Sequence, residues 1–377
     1  MENSGKHESN IMRNEKIAFI HILRGLAPIL VLFAHIPGLW LLERGEVWDV
    51  FQLYKLTILA PMQISDGGGH LGVVIFFLIS GYIISAVAEK ETGLEFIVKR
   101  VLRIMPTLFV CTAISYFIIT LSNHYSLGPI YGTNADKFSD FIKSALMLSW
   151  IIESPRAISV AWSLMPEIIF YFIVFMMMKT MRESPVRSLI YMLSIYALLT
   201  FPMKIVPYLN YLGHFTVYLP IFFIGRLLYI KEHNKLSDQK VLVLLLACSA
   251  IFVAVYNFRF PDELFRKDSG RIWNYIFGII VFYGMMISNI KKCPRSISFL
   301  ADISYALYLV HLPVGIFILN LTLLMPVPFF IKCLMAIGAS VTIAFIIHIW
   351  VEKPAQKSAR YLLKKLKHRD LNKEAYS

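Results

Sequence analysis

An arginine and a histidine stand inside a long hydrophobic run, where neither belongs by polarity. The stretch from Ile17 to Leu42, IAFIHILRGLAPILVLFAHIPGLWLL, carries Arg24 and His35. Ionisable groups within such a run are costly, and they mark a face turned to protein or to an aqueous cavity. Eleven residues make three turns of a 3.6-residue helix plus about 20°, so the two share a face about 16 Å apart along the axis. Histidine titrates near neutrality and can act as a general base, while the guanidinium is a fixed cation at a second depth. A histidine that merely satisfies a neighbouring helix is the alternative, and it stays open at this point.

Other polar residues keep this pair company. In AWSLMPEIIFYFI, Trp162 reads as an interface anchor and Glu167 follows about one helical turn deeper. A carboxylate there needs a partner from another helix. His35 at a comparable depth is the expected one, because a carboxylate can orient an imidazole and stabilise its protonated form. In SYALYLVHLPV, Ser304, Tyr308 and His311 lie at i, i+4 and i+7 on one helical face. His311 is either a second catalytic imidazole or a hydrogen-bonding scaffold. In KRVLRIMP, Arg100 and Arg103 share a face at a helix start, a pairing suited to phosphate, although a plain basic cluster is the simpler reading. Ser80, in GGGHLGVVIFFLISGYIIS, reads as a small residue for close packing, with a cavity lining as the alternative. His21 and His348 look interfacial and receive no assignment.

The elements that must hold these residues are transmembrane helices. The 377 residues are 57% hydrophobic and 16% charged, too apolar for a soluble protein of this length. About ten spans are predicted, near 17–42, 70–88, 104–122, 161–178, 188–202, 211–230, 241–258, 272–290, 297–320 and 329–351. Of the 37 Lys and Arg, 25 fall in segments on the side of the termini and 11 on the other, which predicts both termini in the cytoplasm. The formal charge of +13 then belongs to cytoplasmic loops rather than to nucleic-acid binding. The expected fold class is an all-α polytopic membrane protein. Its expected parts are a cytoplasmic segment 1–16, a transmembrane domain 17–351 and a basic tail 352–377 suited to a membrane surface. The polar N-terminus does not read as a signal peptide, and no internal repeat is visible. Cys111, Cys248, Cys293 and Cys333 have no metal-ligand or redox spacing.

Taken in order, six motifs resemble those of the integral membrane acyltransferase 3 family, bacterial enzymes that O-acylate surface glycans. They are Arg24 and His35 in LRGLAPILVLFAH; Phe76-Phe77 with Ser80-Gly81; Arg100, Arg103 and Pro106; Trp162-Ser163-Leu164 with Glu167 and Phe170-Tyr171; Ser304-Tyr305, Tyr308-Leu309 and His311; and Glu352 with Pro354. Two positions depart from the pattern: Val74 and Ile168 stand where many members carry an acidic residue. The chain resembles the stand-alone form, without an extracytoplasmic hydrolase-like domain.

The resemblance implies a multi-pass enzyme of the bacterial inner membrane. It would move an acetyl or other short acyl group from cytoplasmic acyl-CoA to a hydroxyl of a surface or lipid-linked saccharide. His35 would be the base, Glu167 its support, and Arg24, Arg100 and Arg103 the residues that hold coenzyme A, with no permanently bound cofactor and no metal. Ser80, Trp162, Ser304 and Tyr308 would serve substrate or scaffold. The rival class is a secondary transporter, which also combines about ten spans with intramembrane charges. Against it stand the lack of a repeat and the one-sided arginine clusters.

Overall fold

The computed structural model describes residues 2–234, 236–261, 263, 271–288 and 290–374. Among these there are helices, turns and loops but no strand. Among the described residues nine helices are long and apolar enough to cross a bilayer: Ala18–Arg44, Asp66–Ala88, Gly93–His124, Val160–Glu183, Pro185–Ile205, Leu209–His233, Asp238–Arg259, Arg295–Leu321 and Phe329–Lys367. A shorter apolar helix, Arg271–Ile287, sits eighth in chain order. It too crosses the bundle: Tyr275 bonds His70 at one end of the second helix, and Tyr283 accepts from Lys231 at the last turns of the sixth. Nine of the ten predicted spans are met by helices of spanning length and the tenth, 272–290, by the shorter Arg271–Ile287, and the chain is an all-α polytopic membrane protein. An even number of passes leaves both termini at one end of the bundle.

Three helices differ from the sequence expectation in ways that shape the site. The first is not one uniform α-helix. Regular α-helix ends at Phe33, a π-helical turn covers Ala34–Leu39, and α-helix resumes over Trp40–Arg44 until Gly45 closes it at φ 65°. Pro37 explains the change, since it has no N–H for the α ladder and its ring crowds the preceding turn. His35 therefore sits in a widened turn, a feature that recurs at functional sites.

The third span starts at Gly93, not near residue 104. Thr92 and Glu95 form a capping box, with Glu95 N–H on Thr92 Oγ1 at 3.3 Å and Thr92 N–H on Glu95 Oε2 at 2.9 Å. Thirty-two residues make a helix of about 48 Å, well beyond the roughly 30 Å of hydrocarbon. Arg100 and Arg103 consequently lie two to three turns inside the helix, so its N-terminal dipole does not reach them as expected. The basic tail continues the last span to Glu374 after a second π-turn, His348–Glu352, and packs one edge, including buried Ala359, against the third span.

The fourth span is preceded by a loop that runs inside the protein. Trp150, Ala157, Ile158 and Val160 are buried, and Ser115 Oγ and the Tyr308 hydroxyl donate to the carbonyls of Ala157 and Val160 at 2.5 and 3.1 Å. Irregular backbone can lie within a bundle when protein satisfies it in this way. Trp162 is accordingly no interface anchor. It packs half-buried against Phe77 and Tyr218.

Candidate active site

The first and ninth spans run side by side in the same direction. Arg24 Nη2 donates to Ser304 Oγ at 3.4 Å, and eleven residues on His35 meets His311, only seven residues beyond Ser304. The long arginine side chain absorbs the difference. The working separation of guanidinium and imidazole is therefore set by seven residues of helix, about 10 Å, rather than by the 16 Å between the backbones.

His35 Nδ1 and His311 Nε2 are 2.9 Å apart, and the rings stack at 5.1 Å with 16° between their planes. The partner found is thus an imidazole, where a carboxylate was expected. Hydrogen-bond logic fixes the tautomers of a neutral pair. His311 Nδ1 faces the carbonyls of Tyr308 and Leu307 at 2.8 and 3.2 Å, and since carbonyls only accept, this nitrogen carries the proton. His311 Nε2 is then an acceptor, so His35 Nδ1 must donate to it. The remaining nitrogen, His35 Nε2, is left with a free lone pair. A backbone carbonyl, one imidazole removed, thus fixes which nitrogen of His35 is bare.

On the other side of Tyr308 lies a cavity of about 90 Å³, enough for several water-sized groups, whose lining includes neither His35 nor His311. Among the predicted residues Arg24, Ser80, Arg103, Glu167, Ser304 and Tyr308 line it. Tyr308 joins it to the imidazoles, its ring 5.9 Å from that of His311. Glu167 is oriented within the cavity, not towards His35: Ser80 Oγ donates to its Oε1 at 3.0 Å and the Tyr171 hydroxyl at 2.5 Å. The buried loop before the fourth span carries Glu167 further into the bundle than its position after Trp162 implied, level with Ser80. There its charge acts on both Arg24 and Arg103.

Arg100 stands apart from the cavity lining. Its side chain is 11% exposed, 3.9 Å from Glu91 Oε2 and with its guanidinium carbon 5.7 Å from the Phe96 ring centre. Its Nε and Nη1 are buried with no hydrogen-bond partner. Buried N–H groups left unpaired are rare, so these donors are available to an anion. Among the described residues no three His, Cys, Asp or Glu side chains are grouped as a metal site needs.

An arginine-flanked cavity beside an oriented imidazole acquires meaning from known proteins. The profile of the acyltransferase domain family matches residues 17–349. The chain belongs to the acyltransferase 3 family. It is 26% identical to Nodulation protein 10 of Rhizobium leguminosarum bv. viciae over 344 residues, 82% of this chain and 84% of that protein. It is 32% identical to the O-acetyl transferase of Shigella phage Sf6 over 95 residues, 24% of this chain and 26% of that one. No solved structure matches. This protein is an acyltransferase, and the transporter reading is set aside.

The cavity and its surroundings include residues to which the sequence assigns no role. Tyr171 and Tyr305 line the cavity although each was noted only within a motif. Glu352 was noted likewise, and His348 was read as interfacial. The two pair at 2.6 Å inside the second π-turn, with Glu352 only 5% exposed and acting electrostatically on Arg24 and Arg103. A carboxylate facing inward from the last span was detectable in principle, as a charge followed by proline at a span end. No spacing rule pointed it towards Arg24.

Proposed function

We propose that this acyltransferase moves an acetyl or other short acyl group from acyl-CoA to a hydroxyl of a surface or lipid-linked saccharide, in the bacterial inner membrane. The observation that supports the reading is the His35–His311 bond, which leaves a lone pair on His35 Nε2, with Tyr308 standing between the imidazoles and a cavity lined by Arg24 and Arg103. The relative named as an O-acetyl transferase supports oxygen as the acceptor atom.

In this scheme coenzyme A enters from the end carrying the termini. Its phosphates meet the unpaired N–H groups of Arg100 and the guanidinium groups of Arg103 and Arg24, while Glu167 and Glu352 keep the cations fixed before the donor arrives. The thioester extends along the roughly 10 Å from Arg24 towards the imidazoles. His35 Nε2 takes the proton of the acceptor hydroxyl as its oxygen bonds to the acyl carbon and the C–S bond breaks. The departing thiolate then recovers a proton from the imidazolium.

Replacing His35 with Ala is expected to abolish acyl transfer while leaving expression and membrane insertion unchanged, with a loss of stability no greater than about 1–3 kcal/mol, that of one unsatisfied buried group. Mass analysis of surface polysaccharide from cells with and without the variant reads the result and also names the glycan and acyl group. Acylation retained by His35→Ala would overturn the assignment.

A further inference from the structure

The turn ahead of the second span is pressed directly onto the widened turn that carries His35. Asp66, Gly67 and Gly68 all adopt left-handed backbone, with φ of 53°, 61° and 85°. A Cβ on Gly67 would stand 3.1 Å from Ala34 Cα, and one on Gly69 would stand 2.9 Å from Ala34 Cβ. Glycine suits this approach, and Asp66 is the residue before the glycine that meets Ala34, which itself precedes His35. The Tyr54 hydroxyl donates to the Gly67 carbonyl at 3.2 Å and holds the turn from above.

A relay of hydrogen bonds then orients the Asp66 carboxylate. Asn274 Nδ2, from the eighth span, donates to Ser65 Oγ at 2.7 Å, and Ser65 Oγ donates to Asp66 Oδ2 at 3.1 Å. Asp66 itself is exposed. Within the second span no acidic residue occurs between His70 and Ala88, and Val74 is fully buried. The carboxylate that reaches His35 electrostatically is that of Asp66. The other charged or titratable groups facing Asp66 are His70 on its own span and Arg271 and Tyr275 on the eighth. Arg271 is engaged by Glu263 and by the Tyr256 hydroxyl, and His70 by the Tyr275 hydroxyl at 2.8 Å. Facing His35 from the ninth span is His311.

We propose that Asp66 is a positioning residue of the transfer site, a carboxylate held at the end of the bundle opposite the termini that stabilises His35 as it accepts the acceptor's proton. This inference rests on the base role of His35. The proton passes from the acceptor oxygen to His35 Nε2 and on to the coenzyme A thiolate. Asp66 exchanges no proton; its negative charge favours the imidazolium formed between those two steps.

The test measures thiol release from acetyl-CoA by the full chain in nanodiscs, with octyl β-glucoside as the hydroxyl probe, across pH. Removing the carboxylate in Asp66→Asn leaves the imidazolium less stable, so His35 loses its proton at lower pH. The acid limb of kcat is expected to move to lower pH and its plateau to fall about tenfold, with KM for acetyl-CoA unchanged. Asp66→Glu is expected to restore part of the plateau, which a purely structural role would not require. A wild-type limb and plateau in Asp66→Asn overturn the inference. If that variant fails to fold, Ser65→Ala, which keeps the carboxylate but removes the hydroxyl that links it to Asn274, must move the limb the same way, and an unmoved limb overturns it equally. His35→Ala run in parallel separates the two readings. Full thiol release without His35 defeats the base assignment itself, whereas inactive His35→Ala beside unchanged Asp66→Asn defeats only the role of Asp66.

Discussion

At the scale of single residues, the site depends on which atom carries which proton. The Tyr308 carbonyl accepts from His311 Nδ1, and that fixes the direction of the 2.9 Å bond to His35. His311→Ala would leave His35 Nδ1–H in a buried setting without its acceptor and free the ring to turn. An unsatisfied buried donor costs about 1–3 kcal/mol of stability, and a ring no longer held on its acceptor is expected to lower kcat by about 100-fold through misorientation of Nε2. Donor KM is expected to stay near wild type, because the arginines are untouched. A kcat equal to wild type in the acetyl-CoA assay would remove the orienting role. Glu167 serves a different purpose. It collects hydroxyls from Ser80 and Tyr171 and opposes Arg24 and Arg103, which makes it part of the cation scaffold rather than the partner of His35.

At the scale of elements, close helix approach places the cavity walls. The second and sixth spans cross where Gly81 meets Phe222 and Gly225 meets Leu78. A Cβ on Gly81 would lie 2.1 Å from the Phe222 carbonyl oxygen, and one on Gly225 would lie 2.3 Å from that of Leu78. The Ser80-Gly81 pair thus divides its work. Gly81 packs, as small residues in spans do, and Ser80 faces the cavity. Gly81→Ala must push two backbones apart and is expected to cost about 1–3 kcal/mol. Gly284→Ala, with nothing within 4 Å of its Cβ, is the control. Thermal unfolding in detergent should separate the two, and equal midpoints would show that the crossing tolerates a methyl group. The π-turns at Ala34–Leu39 and His348–Glu352 perform a related task, each re-aiming a polar side chain inward from a span that is otherwise apolar.

At the scale of the whole molecule, charge and passage number predict one orientation. Both termini, the Glu91–Arg100 region and the basic tail share one end, and positive-inside asymmetry places that end in the cytoplasm. The native cysteines offer a probe, since Cys111, Cys248 and Cys333 are buried and Cys293 is not. An impermeant maleimide is expected to label Cys293 in inside-out but not right-side-out vesicles, and a cysteine placed at Thr133 should do the reverse in a Cys293→Ser background. The opposite pattern would invert the topology and rule out the cytoplasmic donor of the proposed transfer.

Several of these features were legible in the residues alone. The apolar content and span-length periodicity determined an all-α membrane protein with ten passes, because a bilayer demands internally bonded backbone over a fixed length. Polar residues inside spans marked Arg24, Ser80, Arg103, Glu167, Ser304 and Tyr308 of the cavity lining, because their burial cost leaves few reasons to be there, but not its apolar residues. The pairing of those residues was decided only by the tertiary structure. His35 meets His311 and not Glu167 because a proline-widened turn and a buried loop shift depths that helical counting holds constant. Asp66 escaped notice because it lies outside the apolar runs, and only a glycine turn folded onto Ala34 brings its charge to the imidazole. Sequence spacing measures distance along one helix. Which charges and lone pairs face each other depends on how several helices are offset, and packing alone sets that offset.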